Sequence, residues 1–345
     1  MKLSFVATLI LGALVAAPAQ TPSSKLTVDF IDVEGGQATL FVTPTGQSLL
    51  IDTGWDGHDS RDANRIVAAA HNAGLKRIDY VLITHYHADH VGGVANLLAK
   101  IPVGTFIDHG PNLQVEDPHT VKGYEDFRKL LASNPVKEIV AKPGDTLPIT
   151  GINIHFISGA ENVIEKPLPG AGQPNAEACA ASHPTTPEEP ENVASLGMEI
   201  TFGKTKILDL GDLTINKEME LMCPANKVGK VDILIVSHHG WNHSSSPALV
   251  HAVQPRVAIM DNGERKGGSP ETFKTIASSP GLEQLWQLHY SAESKELNQP
   301  EKFIANLLGP DSGNALELTV SRDGSFAILN SRTGATQNYP VAGKR

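Results

Sequence analysis

Only two cysteines, Cys179 and Cys223, occur in the 345 residues. Two thiolates are too few for a cysteine-based zinc site, and neither stands in a ligand-like motif. Any metal chemistry must therefore come from histidine and aspartate. Basic residues are scarce too: 28 Lys and Arg stand against 38 Asp and Glu, a formal net charge of −10. The Lys204/Lys206 pair and the terminal Lys344-Arg345 are too sparse for the basic patch of a nucleic-acid binder. The chain contains no GxSxG elbow for a serine nucleophile and no GxxxxGK[ST] phosphate loop. No repeat at solenoid periods is visible. Beyond the N-terminal stretch no apolar run approaches membrane-spanning length, so the mature chain is expected to have no span.

That N-terminal stretch reads as a secretory signal. Lys2 supplies the positive start, Phe5 to Ala16 the apolar run, and Ala17-Pro18-Ala19 a small-x-small cleavage site. The expectation is a signal peptide over residues 1–19, one domain over 24–340, and a secreted or periplasmic location. Outside the cytosol a Cys179–Cys223 disulfide would persist, although sequence alone cannot place the two Cα atoms.

What the chain has is histidine, 14 in all, and the richest stretch is Thr84-His85-Tyr86-His87-Ala88-Asp89-His90-Val91-Gly92-Gly93. It follows the apolar run Tyr80 to Ile83, which reads as a buried strand, and precedes a helix expected over Val91 to Lys100. His85 and His87 are two apart, so in extended backbone their rings point the same way. Asp89 and His90 sit at the turn and can face a second point. Imidazole with carboxylate suits zinc, or manganese where oxygen is richer.

The remaining chain reads as alternating strands and helices. Strands are expected at Lys25–Asp32, Thr39–Val42, Gln47–Asp52, Thr105–Asp108, Glu138–Ala141 and Ile152–Ile157. Further strands are expected at Ser195–Ile200, Lys206–Leu210, Val231–Val236 and Arg256–Met260, with a final hairpin around Asp323-Gly324. Helices are expected over Asp59–Ala73 and Tyr124–Leu131. Residues 160–192, rich in Pro, Gly and Ala, read as a loop insertion over the site. Asp52 at a strand end could hold a ligand histidine by its second nitrogen, or simply cap an Asp-Thr-Gly turn. Asp212 and Asp209 compete for one role, and alternation favours Asp212.

His85-x-His87-x-Asp89-His90 matches the HxHxDH signature, and on it the chain resembles the metallo-β-lactamase superfamily. Leu50 to Gly54 and Leu210-Gly211-Asp212 look like that superfamily's two strand-ending aspartate motifs. Val231 to Gly240, ending His238-His239-Gly240, is similar to the extracellular hydrolase domain of ComEC-type DNA-uptake proteins. Several positions depart from that pattern: Gln37 replaces an acidic residue, Trp241 a serine and Ser269 a histidine. Ser158-Gly159 stands where many members carry a third ligand histidine.

The resemblance implies an α/β fold, a four-layer αβ/βα sandwich with metals between the tops of two sheets. It implies two divalent ions, zinc or manganese: His85 and His87 on the first, Asp89, His90 and His238 on the second, Asp212 bridging. Asp89 and His239 are then the candidate catalytic residues. The implied activity is hydrolysis by metal-activated water, with phosphodiesters favoured and a small-molecule or nucleotide-like substrate. Carboxylic esters, lactones or β-lactams are the alternative reaction, and a non-catalytic metal- or ligand-binding protein is the alternative of another class.

Overall fold

The computed structural model describes residues 24–343. The stretch read as a signal peptide and the Lys344-Arg345 pair lie outside them. Two sheets carry the architecture. The first runs, edge to edge, Ala335–Tyr339, Phe326–Asn330, Leu316–Val320, Leu26–Phe30, Thr39–Val42, Ser48–Ile51, Ile78–Leu82, Val103–Asp108, Lys137–Val140. The second runs Ile304–Asn306, Gln284–His289, Val257–Met260, Ile233–Ile235, Thr205–Asp209, Gly197–Phe202, Asn153–Gly159, Thr146–Leu147.

Strand periodicity explains the layering. Side chains alternate across a strand, so a strand buried on both faces sends neighbouring residues into different cores. Leu49 and Ile51 enter one cluster while Leu50 enters another. Ile233 and Ile235 likewise part from Leu234, and Ile259 from Met260. The central cluster draws Phe30, Phe41 and Leu82 from the first sheet and Phe156, Met198, Ile207 and Trp286 from the second, so the sheets face each other. Helices cover the outer faces. Arg61–Asn72 and Pro118–Ser133 contribute Ile66 and Phe127 on one side. Ile215–Met222, Pro247–Val253 and Pro270–Ala277 contribute Leu221, Leu249 and Phe273 on the other. The result is the expected four-layer α/β sandwich.

Several elements differ from the sequence reading, which places no strand at Gln284–His289 or Ile304–Asn306 and no helix at Ile215–Met222, Pro247–Val253 or Pro270–Ala277. The stretch 160–192 carries two short helices, Ala176–Ala180 and Pro190–Val193, beside short strands. Asp89 and His90 lie inside a short helix, Ala88–Val91, rather than on a turn before one. The closing hairpin gains a third strand, Ala335–Tyr339. Cys179 and Cys223 are bonded, their Cα atoms 5.9 Å apart, which ties Ala176–Ala180 to the end of Ile215–Met222. Among the described residues no helix is long and apolar enough to cross a membrane.

Candidate metal centre

The site forms where strands of the two sheets end. Strand Ile78–Leu82 pairs in parallel with Ser48–Ile51. Asp52 follows the latter in a left-handed conformation, φ 59°, which aspartate tolerates better than most residues. Its carboxylate accepts from Thr84 N (2.8 Å) and Thr84 Oγ1 (2.7 Å), and meets His90 Nδ1 at 2.7 Å. A carboxylate only accepts, so the His90 proton sits on Nδ1 and the Nε2 lone pair is free.

The other rings are held in the same way, one nitrogen anchored and one turned inward. His85 Nδ1 meets Thr84 Oγ1 at 3.1 Å, and His87 Nε2 meets Gln114 Oε1 at 3.0 Å. Their free nitrogens, His85 Nε2 and His87 Nδ1, then face each other at 3.0 Å. The ligand stretch is pinned from the insertion by buried Glu191, which accepts from Tyr86 N at 2.9 Å and Leu113 N at 2.7 Å and meets His109 at 3.1 Å.

From the second sheet come Asp212, after strand Thr205–Asp209, and His238-His239 in the turn Ser237–Gly240. Both histidines have positive φ, 56° and 53°, a conformation costly for residues other than glycine that the surrounding structure must hold in place. Asp89, His90, Asp212 and His239 form a buried group whose facing atoms all lie within 4.8 Å of one another. His90 Nε2 and His239 Nε2 stand 3.3 and 3.2 Å from Asp89 Oδ2. Asp212 Oδ2 is ringed by His90 (3.3 Å), His238 (3.4 Å), His239 (3.5 Å) and His85 (3.8 Å). The place that the resemblance gives to His238 beside Asp89 and His90 is taken in this geometry by His239. His238 approaches Asp212 alone, with Nδ1 3.3 Å from Ser244 Oγ and its ring 5.3 Å from Trp241.

The donor set fits a divalent cation. Asp212 Oδ1 is buried without a hydrogen-bond partner, and five imidazoles converge on nitrogen lone pairs that no protein donor fills. Electrostatics point the same way. Burial pushes Asp212 up, but the neighbouring His90, His238 and His239 outweigh it and hold the carboxyl well below the usual range. Burial pulls His239 down while Asp212 and Asp261 lift it to about 10, and Asp212, Asp89 and Asp52 raise His90 despite its burial. Burial lowers His238 to about 4. The buried carboxylates thus draw positive charge to the rings of His90 and His239, a charge that a metal ion would supply.

Other candidates stand apart. Asp209 accepts from Gln37 Nε2 at 2.9 Å, and burial pushes its carboxyl up to about 7. His289 meets Asp32 at 2.6 Å in a separate group with Glu34. Lys266 was not singled out by the sequence reading; it pairs with Asp89 and donates to Gly35 O at 2.8 Å. Its signal is slight: a lone lysine ahead of Gly267-Gly268.

Residues 32–260 match the Metallo-beta-lactamase superfamily model. The chain belongs to that superfamily, a group of metal-dependent hydrolases. Within it the chain is similar to Recombination protein 2 of Haemophilus influenzae, 25% identical over 238 residues, 68% of this chain and 24% of that protein. ComE operon protein 3 of Bacillus subtilis is 26% identical over 255 residues, 70% of this chain and 29% of that protein. The chain therefore spans under a third of those relatives' length. Ribonuclease Z of Methanopyrus kandleri is 29% identical over 144 residues, 39% of this chain and 46% of that protein.

Proposed function

We propose that this chain is an exported hydrolase with two divalent cations, zinc or manganese, acting on phosphodiesters in small, nucleotide-like substrates. The observation that carries the metal reading is the carboxylate of Asp212, one oxygen ringed by imidazole nitrogens and the other buried without a partner. His85 and His87 would hold one ion and Asp89, His90 and His239 the other, with Asp212 within reach of both sets. Bound there, the ions supply Lewis acidity and lower the pKa of water toward neutrality.

The chain's own groups do the rest. Asp52, Thr84 and Gln114 fix the tautomers of the ligand histidines. Burial pushes the Asp89 carboxyl up, but Lys266 and His90 hold it well below the usual range, so it stays ionised with Oδ2 turned toward His90 and His239. His238, neutral at physiological pH, points Nε2 toward Asp212 and orients the substrate beside Trp241. The similarity to Ribonuclease Z of Methanopyrus kandleri supports phosphodiesters. The net charge of −10 supports a small substrate over a polyanion. Trp241 at the mouth keeps carboxylic esters and lactones as the second reading.

The test combines metal content with hydrolysis of bis(p-nitrophenyl) phosphate for wild type and Asp212→Ala. About two ions per wild-type chain and a loss of turnover exceeding about a hundredfold are expected. Two ions without phosphodiester turnover would transfer the reading to esters and lactones. No bound ion would leave a binding module. Export is checked by the mass of the mature chain, expected to lack residues 1–19.

A further inference from the structure

Lys266 spans two loops. It leaves the segment after strand Val257–Met260 and reaches the Gly-rich turn before Thr39–Val42, where Nζ donates to Gly35 O at 2.8 Å. The ammonium also pairs with Asp89 Oδ2 and lies 5.3 Å from the centre of the Trp55 ring. Among the described residues it is the lysine or arginine that pairs with any candidate ligand. Its partner oxygen is the one that faces His90 and His239.

The tether leaves little slack. Gly35 has φ 81°, and a Cβ built there would stand 2.9 Å from Gly263 N and 3.0 Å from Lys266 Cβ. A Cβ on Gly263 would meet Glu34 C at 2.9 Å. The loops therefore pack glycine against glycine, and Gly263 N donates to Lys266 O at 2.9 Å. The ammonium so anchored is a standing positive charge beside the Asp89 carboxylate that an ion bound there would meet.

We propose that Lys266 is a resident counter-cation of the Asp89–His90–His239 position and weakens that position for divalent metal. The His85–His87 position has no such neighbour in the ion pairs of the described residues. The chain thereby holds its two cations with unequal affinity, and the weaker one becomes sensitive to free metal concentration. This inference rests on the metal reading above.

Zn²⁺ and, separately, Mn²⁺ are titrated calorimetrically into the metal-stripped full chain, with bound metal counted after equilibrium dialysis. Lys266→Met is expected to tighten one of the two binding events by about tenfold or more, since an ammonium beside a dication is strongly repulsive at this range, and to leave the other unchanged. Lys266→Arg retains the charge and is expected to keep the weak event; thermal melting confirms that both variants fold. Both events unchanged in Lys266→Met, or one of them weakened, would overturn the inference. Binding to neither wild type nor variants would remove the metal reading and the inference together.

Discussion

Asp52 shows how a single side chain sets the chemistry of a neighbour. It joins the Thr84 backbone and hydroxyl to the ring of His90, so its charge and shape both count. Asparagine tolerates the same positive φ but turns an amide group toward His90 Nδ1, which favours the wrong tautomer. Asp52→Asn is therefore expected to lower metal affinity by about 10- to 100-fold while the chain still folds. Chelator competition with parallel melting curves measures this. At this scale part was legible: the HxHxDH cluster, Asp52 and Asp212 stand out in the sequence as candidates, and the fold brings them together. The choice between His238 and His239 was not, because it depends on two successive left-handed residues, and neither is a glycine that would advertise them. Lys266 was illegible for another reason: its partners, Gly35 and Asp89, are remote in sequence.

At the scale of elements, strand periodicity carried the reading and close approach of backbones limited it. Most strands fell where alternation placed them, since both faces of each sheet are buried and apolar residues fill successive positions. The short helices of 160–192 were missed because tertiary ties hold them, among them Glu191 and the disulfide. The glycines after the metal motif have a packing reason visible only in three dimensions: a Cβ on Gly93 would stand 2.1 Å from Thr53 O. Gly93→Ala is expected to cost about 2 kcal/mol or more by overpacking and to weaken metal binding. Denaturant melts of metal-stripped and metal-loaded protein test both halves of that statement.

A second element-scale prediction concerns pH. Asp29 faces Glu317 across paired strands, and burial together with that neighbour lifts its carboxyl from 3.8 to about 7. The folded state therefore holds this proton where the unfolded chain has released it, and stability is lost as pH rises from about 4 to about 7. Asp29→Asn removes that loss. The variant should match wild type near pH 4 and exceed it by roughly 1–2 kcal/mol at pH 8, with partial exposure moderating the full effect. Thermal melts at the two pH values decide it; equal differences at both would refute the assignment.

For the whole molecule, charge and cross-linking make separate predictions. A surface with net charge −10 repels polyanions, and salt screens that repulsion. Cleavage of an oligonucleotide should therefore rise with ionic strength, while turnover of bis(p-nitrophenyl) phosphate stays nearly flat; a fall with salt would reveal an unrecognised basic groove. The disulfide closes a separation of 44 residues, so the double substitution Cys179→Ser with Cys223→Ser is expected to cost about 2–4 kcal/mol. Reductant should lower the wild-type melting temperature and leave the double variant unmoved. The four-layer architecture was legible through its family resemblance rather than through composition, which fits many folds. The second sheet's order was not legible, since no local signal announces which strands neighbour which.

Strand Leu26–Phe30 lies between Thr39–Val42 and Leu316–Val320 in the first sheet. Its second neighbour is almost the last strand to be made. On a chain emerging from the ribosome N-terminus first, that edge stays bare while nearly three hundred further residues are added, tens of seconds at typical elongation rates. An open apolar edge for that long is an invitation to pair with a stranger. Chains that stop short of Leu316 are thus expected to be recovered as aggregates or chaperone-bound, even though every candidate ligand has already been synthesised.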